Sequence, residues 1–151
     1  MKIRSGLYTD YMKQNWIIFR DGQHKYQKYL KKGYGHVYIL SRDAYNWVLI
    51  DPVYNNIHVE VLNYGANDPI HLLYARDPST TAMYYIEIDD DIEQKDFKLN
   101  LFNPLSCVGC VKYYLGIKDF RVVTPYQLKK YLDALLNKQK DNKIICKIER
   151  N

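Results

Sequence analysis

A cysteine, a histidine and a carboxylate in this chain have the types that nucleophilic catalysis needs: Cys107, His36 and Asp51. A thiol attacks well once an imidazole has taken its proton, and a carboxylate beside that imidazole fixes its tautomer and stabilises its charged form. Spacing links two of the three. His36 to Leu40 and Asn46 to Ile50 read as consecutive strands joined by a short turn. A turn centred between Asp43 and Ala44 sets His36 directly opposite Asp51, with Cβ atoms about 4.5–5.5 Å apart. A slip of two residues leaves them diagonal neighbours. Tyr38 and Leu40 then share the histidine's face, with Leu49 and Trp47 opposite. The same pair is equally open to a purely structural role, closing a hairpin.

Cys107 follows Asn103-Pro104-Leu105-Ser106, which reads as a helix start. Pro104 suits the first helical turn, and either Asn103 or Ser106 can cap it. The helix is expected to run to about Leu115 and stop at Gly116. A helix N-terminus favours a thiolate, and later an oxyanion, through its dipole and free N–H groups. Cys110 sits one turn deeper, where that field is weaker, yet it remains an alternative nucleophile. Cys146, between Ile145 and Lys147, reads as a small buried hydrophobe on a late strand.

Cys107-x-x-Cys110 is also the spacing of a metal or redox pair. A structural zinc needs four ligands, and Cys146, His24, His36, His58 and His71 offer no second ligand pair at short spacing. A redox pair wants strands alternating with helices, which this chain lacks. No metal or organic cofactor is therefore expected. His24 and His58 read as surface residues. His71, between Ile70 and Leu72, reads as a strand histidine and is the substitute base if His36 is not the one.

The elements that must position these groups follow from pattern. Strands are expected at 15–20, 36–40, 46–50, 57–64, 70–75, 82–88 and 144–148, with a polar helical turn from Gln23 to Leu30 and a solvated acidic turn from Asp89 to Glu93. A late helix has strong start signals: Thr124 as cap, Pro125 in the first position and Gln127 at capping-box spacing. Leu128, Leu132, Leu135 and Leu136 give it one apolar face. Strands come first and helices late. That predicts a single α+β domain over residues 1–151, an antiparallel sheet packed against the cysteine-bearing helix and a second, C-terminal helix.

Composition sets the outer limits. The chain has 151 residues, 47% hydrophobic and 26% charged, which is globular rather than disordered. Sixteen tyrosines lift the aromatic share to 15%, which suits half-buried strands and wet pocket walls. The net charge of +5 lies in lysines spread over both ends, a solvated face rather than a nucleic-acid surface. No stretch approaches the ~20 apolar residues of a membrane span. Met1 to Tyr11 lacks a signal-peptide core, and three cysteines form no even disulfide framework. Location in the cytoplasm, or in a particle assembled there, is expected. The lean toward Lys, Asn, Ile and Tyr fits AT-rich coding, of which a phage is one source.

Cys107-Val108-Gly109-Cys110-Val111-Lys112-Tyr113, followed by Gly116-Ile117, resembles the nucleophile helix of the NlpC/P60 family. Gly35-His36-Val37-Tyr38-Ile39 is similar to that family's general-base strand, and Trp47 to Pro52 resembles the acidic strand of related papain-fold enzymes. Val123-Thr124-Pro125 with Gln127 is loosely similar to the segment after the nucleophile helix. Here His36 and Asp51 precede Cys107, which is the order of circularly permuted papain-like families. The resemblance implies a permuted papain-like fold and a cysteine hydrolase with Cys107, His36 and Asp51 as its triad. Ser106 and Val108 flank the cysteine where the lecithin:retinol acyltransferase group has Asn and Glu, so an amidase or peptidase is implied rather than a lipid acyltransferase. Substrates would be peptides, peptidoglycan stems or other amides and esters. Gln14, Trp16 and Tyr38 are candidates for a second oxyanion donor. The competing expectation is a catalytically idle binding or structural protein, such as a virion or host-interaction component, on the same fold.

Overall fold

The computed structural model describes residues 13–22, 29–53, 56–88, 106–138 and 144–149. The turn expected from Gln23 falls largely outside them, as do His24, the acidic run Asp89–Glu93, and Asn103 and Pro104. The protein is α+β. One antiparallel sheet contains β1 (Lys13–Arg20), β2 (His36–Arg42), β3 (Trp47–Val53), β4 (Asn56–Leu62), β5 (Thr80–Ile88) and β6 (Ile144–Glu149), in the order β4-β3-β2-β1-β5-β6. The described helices are α1 (Ile70–Arg76), α2 (Cys107–Leu115) and α3 (Pro125–Lys138). Among the described residues no helix is long and apolar enough to cross a membrane.

The central strands are apolar on both faces because both faces are covered. On one side Ile17, Phe19, Val37, Ile39 and Tyr84 meet Val108 and Val111 of α2 and Leu128 and Leu132 of α3. On the other, Trp16, Ile18, Tyr38, Leu40, Trp47 and Met83 meet Ile70 of α1. The expected sharing of a face by Tyr38, Leu40, Trp47 and Leu49 therefore holds.

Two expectations fail. Asp43 N–H donates to the Asn46 carbonyl at 3.1 Å, so the β2–β3 turn is centred one residue later than the sequence suggested. The ladder pairs Ile39 with Ile50 and Leu40 with Leu49, and His36 becomes diagonal to Asp51 rather than opposite it. The Asp43 carboxylate causes this by accepting from the N–H groups of both Tyr45 and Asn46 at 2.7 Å, an Asx-type closure that fixes the longer turn. Because side chains alternate with a period of two, the slip leaves both residues on their original face.

The second failure is the strand expected at Ile70–Ala75, which is helix α1. A short apolar run does not distinguish the two states by periodicity. Here Pro69 before it, Leu and Ala within it, and Pro78 just beyond it favour one helical segment. Ile70 and Tyr74, one turn apart, are among the residues it turns toward the sheet.

The other two helices follow their signals. Thr124 Oγ1 accepts from Gln127 N–H at 3.2 Å, while Gln127 Oε1 accepts from Thr124 N–H at 3.0 Å, a complete capping box. Gly116 ends α2 in the left-handed conformation at φ 68°, and Ile117 N–H returns to the Lys112 carbonyl at 2.8 Å, as in a Schellman stop. Leu132→Ala should lower unfolding free energy by about 2–5 kcal/mol, against about 1 kcal/mol for Thr124→Ala. Urea denaturation measures both; equal losses would mean that α3 is held by its cap rather than by the leucine stripe.

Candidate active site

Ser106 caps α2, its Oγ accepting from Gly109 N–H at 3.0 Å, so Cys107 is the first helical residue. Of the two caps the sequence allowed, Ser106 is the one used. The Ser106 carbonyl takes Cys110 N–H at 3.0 Å. The N–H groups of Cys107 and Val108 have no intrahelical acceptor at this position. They form the anion-favouring end of the helix beside the Cys107 thiol.

The other end of α2 is tied to the sheet by buried polar contacts. Tyr114 hydroxyl donates to Asn15 Oδ1 at 2.5 Å, and Ser41 Oγ donates to the same oxygen at 2.8 Å. Lys112, buried at 6% exposure, donates its Nζ to the Val122 carbonyl at 2.9 Å and so joins α2 to the loop before α3. These contacts fix the helix along β2 and, with it, the placement of Cys107.

His36 opens β2, at the end of the sheet, where a ring can meet groups arriving from either face. Its Nε2 lies 2.5 Å from Asp51 Oδ1, and Cys107 is near enough to help raise its pKa. The strand entry is tight. Gly35 N–H donates to the Arg20 carbonyl at 3.0 Å, and a Cβ at Gly35 would lie 2.3 Å from the Gly22 nitrogen, so only glycine fits. All three residues singled out by type are thus brought together, with Asp51 reaching His36 along the diagonal.

Arg20 was missed by sequence reading. Its Nη2 donates to Asp51 Oδ2 at 3.5 Å while its guanidinium lies over the Tyr38 ring, 5.1 Å from the centroid. The β1–β5 register shifts between Phe19 and Arg20, with Thr81 of β5 the extra residue. No local signal names Arg20, because its proximity depends on the β1–β2 register, which pairs it with His36.

The electrostatics follow from these contacts. Burial works to lower the His36 pKa, but the hydrogen bonds to Asp51 and Cys107 and their negative charge overcome it and raise the group to about 9. Burial would raise Asp51, yet the bond to His36 and the charges of His36, Arg20 and His58 hold it below the ordinary aspartate value. Cys110, part-buried, is pushed up first by burial and then by the charge of Cys107. That favours a packed thiol at Cys110.

The remaining candidates separate from this cluster. His71 lies on α1, not on a strand, stacked on Trp16 at 4.8 Å, and is no substitute base. Gln14 and Trp16 lie near the opposite end of β1 from Arg20, so neither serves as an oxyanion donor. Tyr38 is buried under Arg20, with burial first raising its pKa and a Thr80 hydrogen bond among its other influences. His58 is exposed and pairs with Glu60 at 3.3 Å. Cys146 lies in β6, with its side chain outside the described residues. Among the described residues no group of three or more His, Cys, Asp or Glu is disposed to hold a metal ion.

Comparison with family models, with curated proteins and with solved structures finds no match to this chain. The chemistry of the site has to be read from its own geometry.

A histidine whose pKa is raised on folding adds stability below its unfolded value, near 6.5, and loses that contribution as pH rises through the folded value of about 9. Urea midpoints of wild type and His36→Gln should therefore differ most at pH 6 and converge above pH ~9. A difference that grows with pH would contradict the charged His36 described above.

Proposed function

We propose that the chain is a cysteine hydrolase of the amidase or peptidase type, on a circularly permuted papain-like fold of the NlpC/P60 kind. The observation that carries this reading is one imidazole hydrogen-bonded to Asp51 and electrostatically coupled to Cys107, with the cysteine opening a helix. A structural His–Asp pair needs no thiol at a helix N-terminus. A structural cysteine needs no buried, charge-supported imidazole.

With its pKa near 9, His36 is imidazolium at neutral pH, so the proton used in catalysis already rests on the ring, and the reacting form of Cys107 in this mechanism is the thiolate. The thiolate adds to the carbonyl carbon of an amide or ester, and the carbonyl π electrons move onto oxygen. The N–H groups of Cys107 and Val108 hold that oxyanion. Collapse breaks the C–N or C–O bond as His36 gives its proton to the leaving group, leaving a thioester on Cys107. Water then passes a proton to His36 while its oxygen adds to the thioester carbonyl. The C–S bond breaks, the acid departs, and the ion pair is restored. Asp51, steadied by Arg20, orients His36 throughout and stabilises its charge. These steps call on no cofactor. Peptides, peptidoglycan stem peptides and other amides or esters are the substrate classes of this chemistry.

Incubation with p-nitrophenyl acetate and with peptide anilides, followed by intact-mass and peptide mapping, tests the proposal. An acyl adduct on Cys107 is expected, absent in Cys107→Ala and retained in Cys110→Ala. Turnover should fall by about 10²–10⁴ in His36→Ala. A folded protein that acylates with none of these compounds would instead be the idle binding protein.

A further inference from the structure

A cavity of about 340 Å³ lies at the other end of the sheet, lined by residues of β1, β2, α1, β5 and β6. The β1–β2 register pairs Gln14 with Arg42 there and Arg20 with His36 at the far end. Strand rise separates the two regions by about 20 Å, so the cavity takes no part in the chemistry of Cys107. Its walls are aromatic. Trp16 and Tyr85 have ring centroids 5.1 Å apart, and His71 stacks on Trp16 at 4.8 Å, with Met83 adding an apolar surface.

Arg42 gives this apolar space a charge. It lies over the Trp47 ring at 5.7 Å, donates from Nη1 to Gln14 Oε1 at 3.3 Å and from Nη2 to Asn67 Oδ1 at 3.4 Å. Both acceptors are neutral amides at long range, and a guanidinium has five donors matched to a carboxylate. His71 Nδ1 beside it is buried without a hydrogen-bond partner. Burial and the Arg42 charge push the His71 pKa down, which keeps the ring neutral and able to give or accept one hydrogen bond. Buried polar atoms are ordinarily satisfied, and an apolar cavity with a few convergent polar groups is the usual form of a small-molecule site.

We infer that this cavity binds a planar aromatic carboxylate, its ring system against Trp16 and Tyr85 and its carboxylate on Arg42, beside His71. The site is independent of the hydrolase reading and is one of binding alone. Charge complementarity selects the anion; the flat walls select an aromatic body over a flexible chain.

Isothermal titration calorimetry with 2-naphthoate, its neutral isostere 2-acetonaphthone and the aliphatic anion decanoate separates these elements. The chain's two tryptophans, Trp16 and Trp47, lie 5.1 Å apart beside the cavity, so their fluorescence reports occupancy in parallel. Naphthoate should bind at least about tenfold more tightly than either comparison ligand. Arg42→Gln should erase its advantage over the ketone, and Arg42→Lys should keep part of it. No binding by naphthoate, equal binding by the ketone, or tighter binding by decanoate would each overturn the inference. The wild-type contrast stands even if a variant fails to fold.

Discussion

A single imidazole at the mouth of β2 meets a carboxylate and a thiol, and most of the surrounding structure answers to that arrangement. A buried His36 gains charge only if its neighbours repay the lost hydration, which Asp51 does by direct hydrogen bonding, with Cys107 adding to the effect. Asp51 is in turn supported by Arg20 on the neighbouring side of β2. The backbone must then admit the ring at the strand entry, which is why Gly35 lies against Gly22 with no room for a Cβ.

The helix that supplies the cysteine is located with comparable care. Ser106 sets the first residue of α2 at Cys107, Gly116 sets its end, and Tyr114 with Asn15 and Ser41 ties it to the two central strands. Lys112 binds the chain on its way to α3. Polar side chains carry this positioning, because apolar packing alone leaves a helix free to slide by small amounts along a sheet. A separate network, in which Lys129 pairs with Asp133 at 2.8 Å and with Glu149 at 3.0 Å, joins α3 to β6. The two anchors hold opposite parts of the same helical layer.

Much of this was legible in the sequence where signals are local. Thr124-Pro125 with Gln127, Ser106 before Cys107 and Gly116 after Leu115 announce helix ends through hydrogen bonds made within a few residues. Strand alternation placed His36 with Tyr38 and Leu40 on one face, and the His36 and Tyr38 rings do stack. What failed depended on choices the local pattern leaves open. The Asp43 carboxylate decided the turn and moved the register, yet the face survived because the shift was even. Ile70 to Arg76 is too short for periodicity to separate strand from helix. Arg20 and the cavity beside Trp16 arise from strand order, in which β1 lies between β2 and β5. No residue in the linear chain announces that neighbour.

The central claim is that His36 activates Cys107. Iodoacetamide alkylation followed cysteine by cysteine at pH 6.5 tests it most directly, in wild type and in His36→Ala. The account predicts that Cys107 alkylates at least about tenfold faster than Cys110 in wild type and that the excess vanishes without His36. Equal rates at the two cysteines, or a fast Cys107 indifferent to His36, would contradict it.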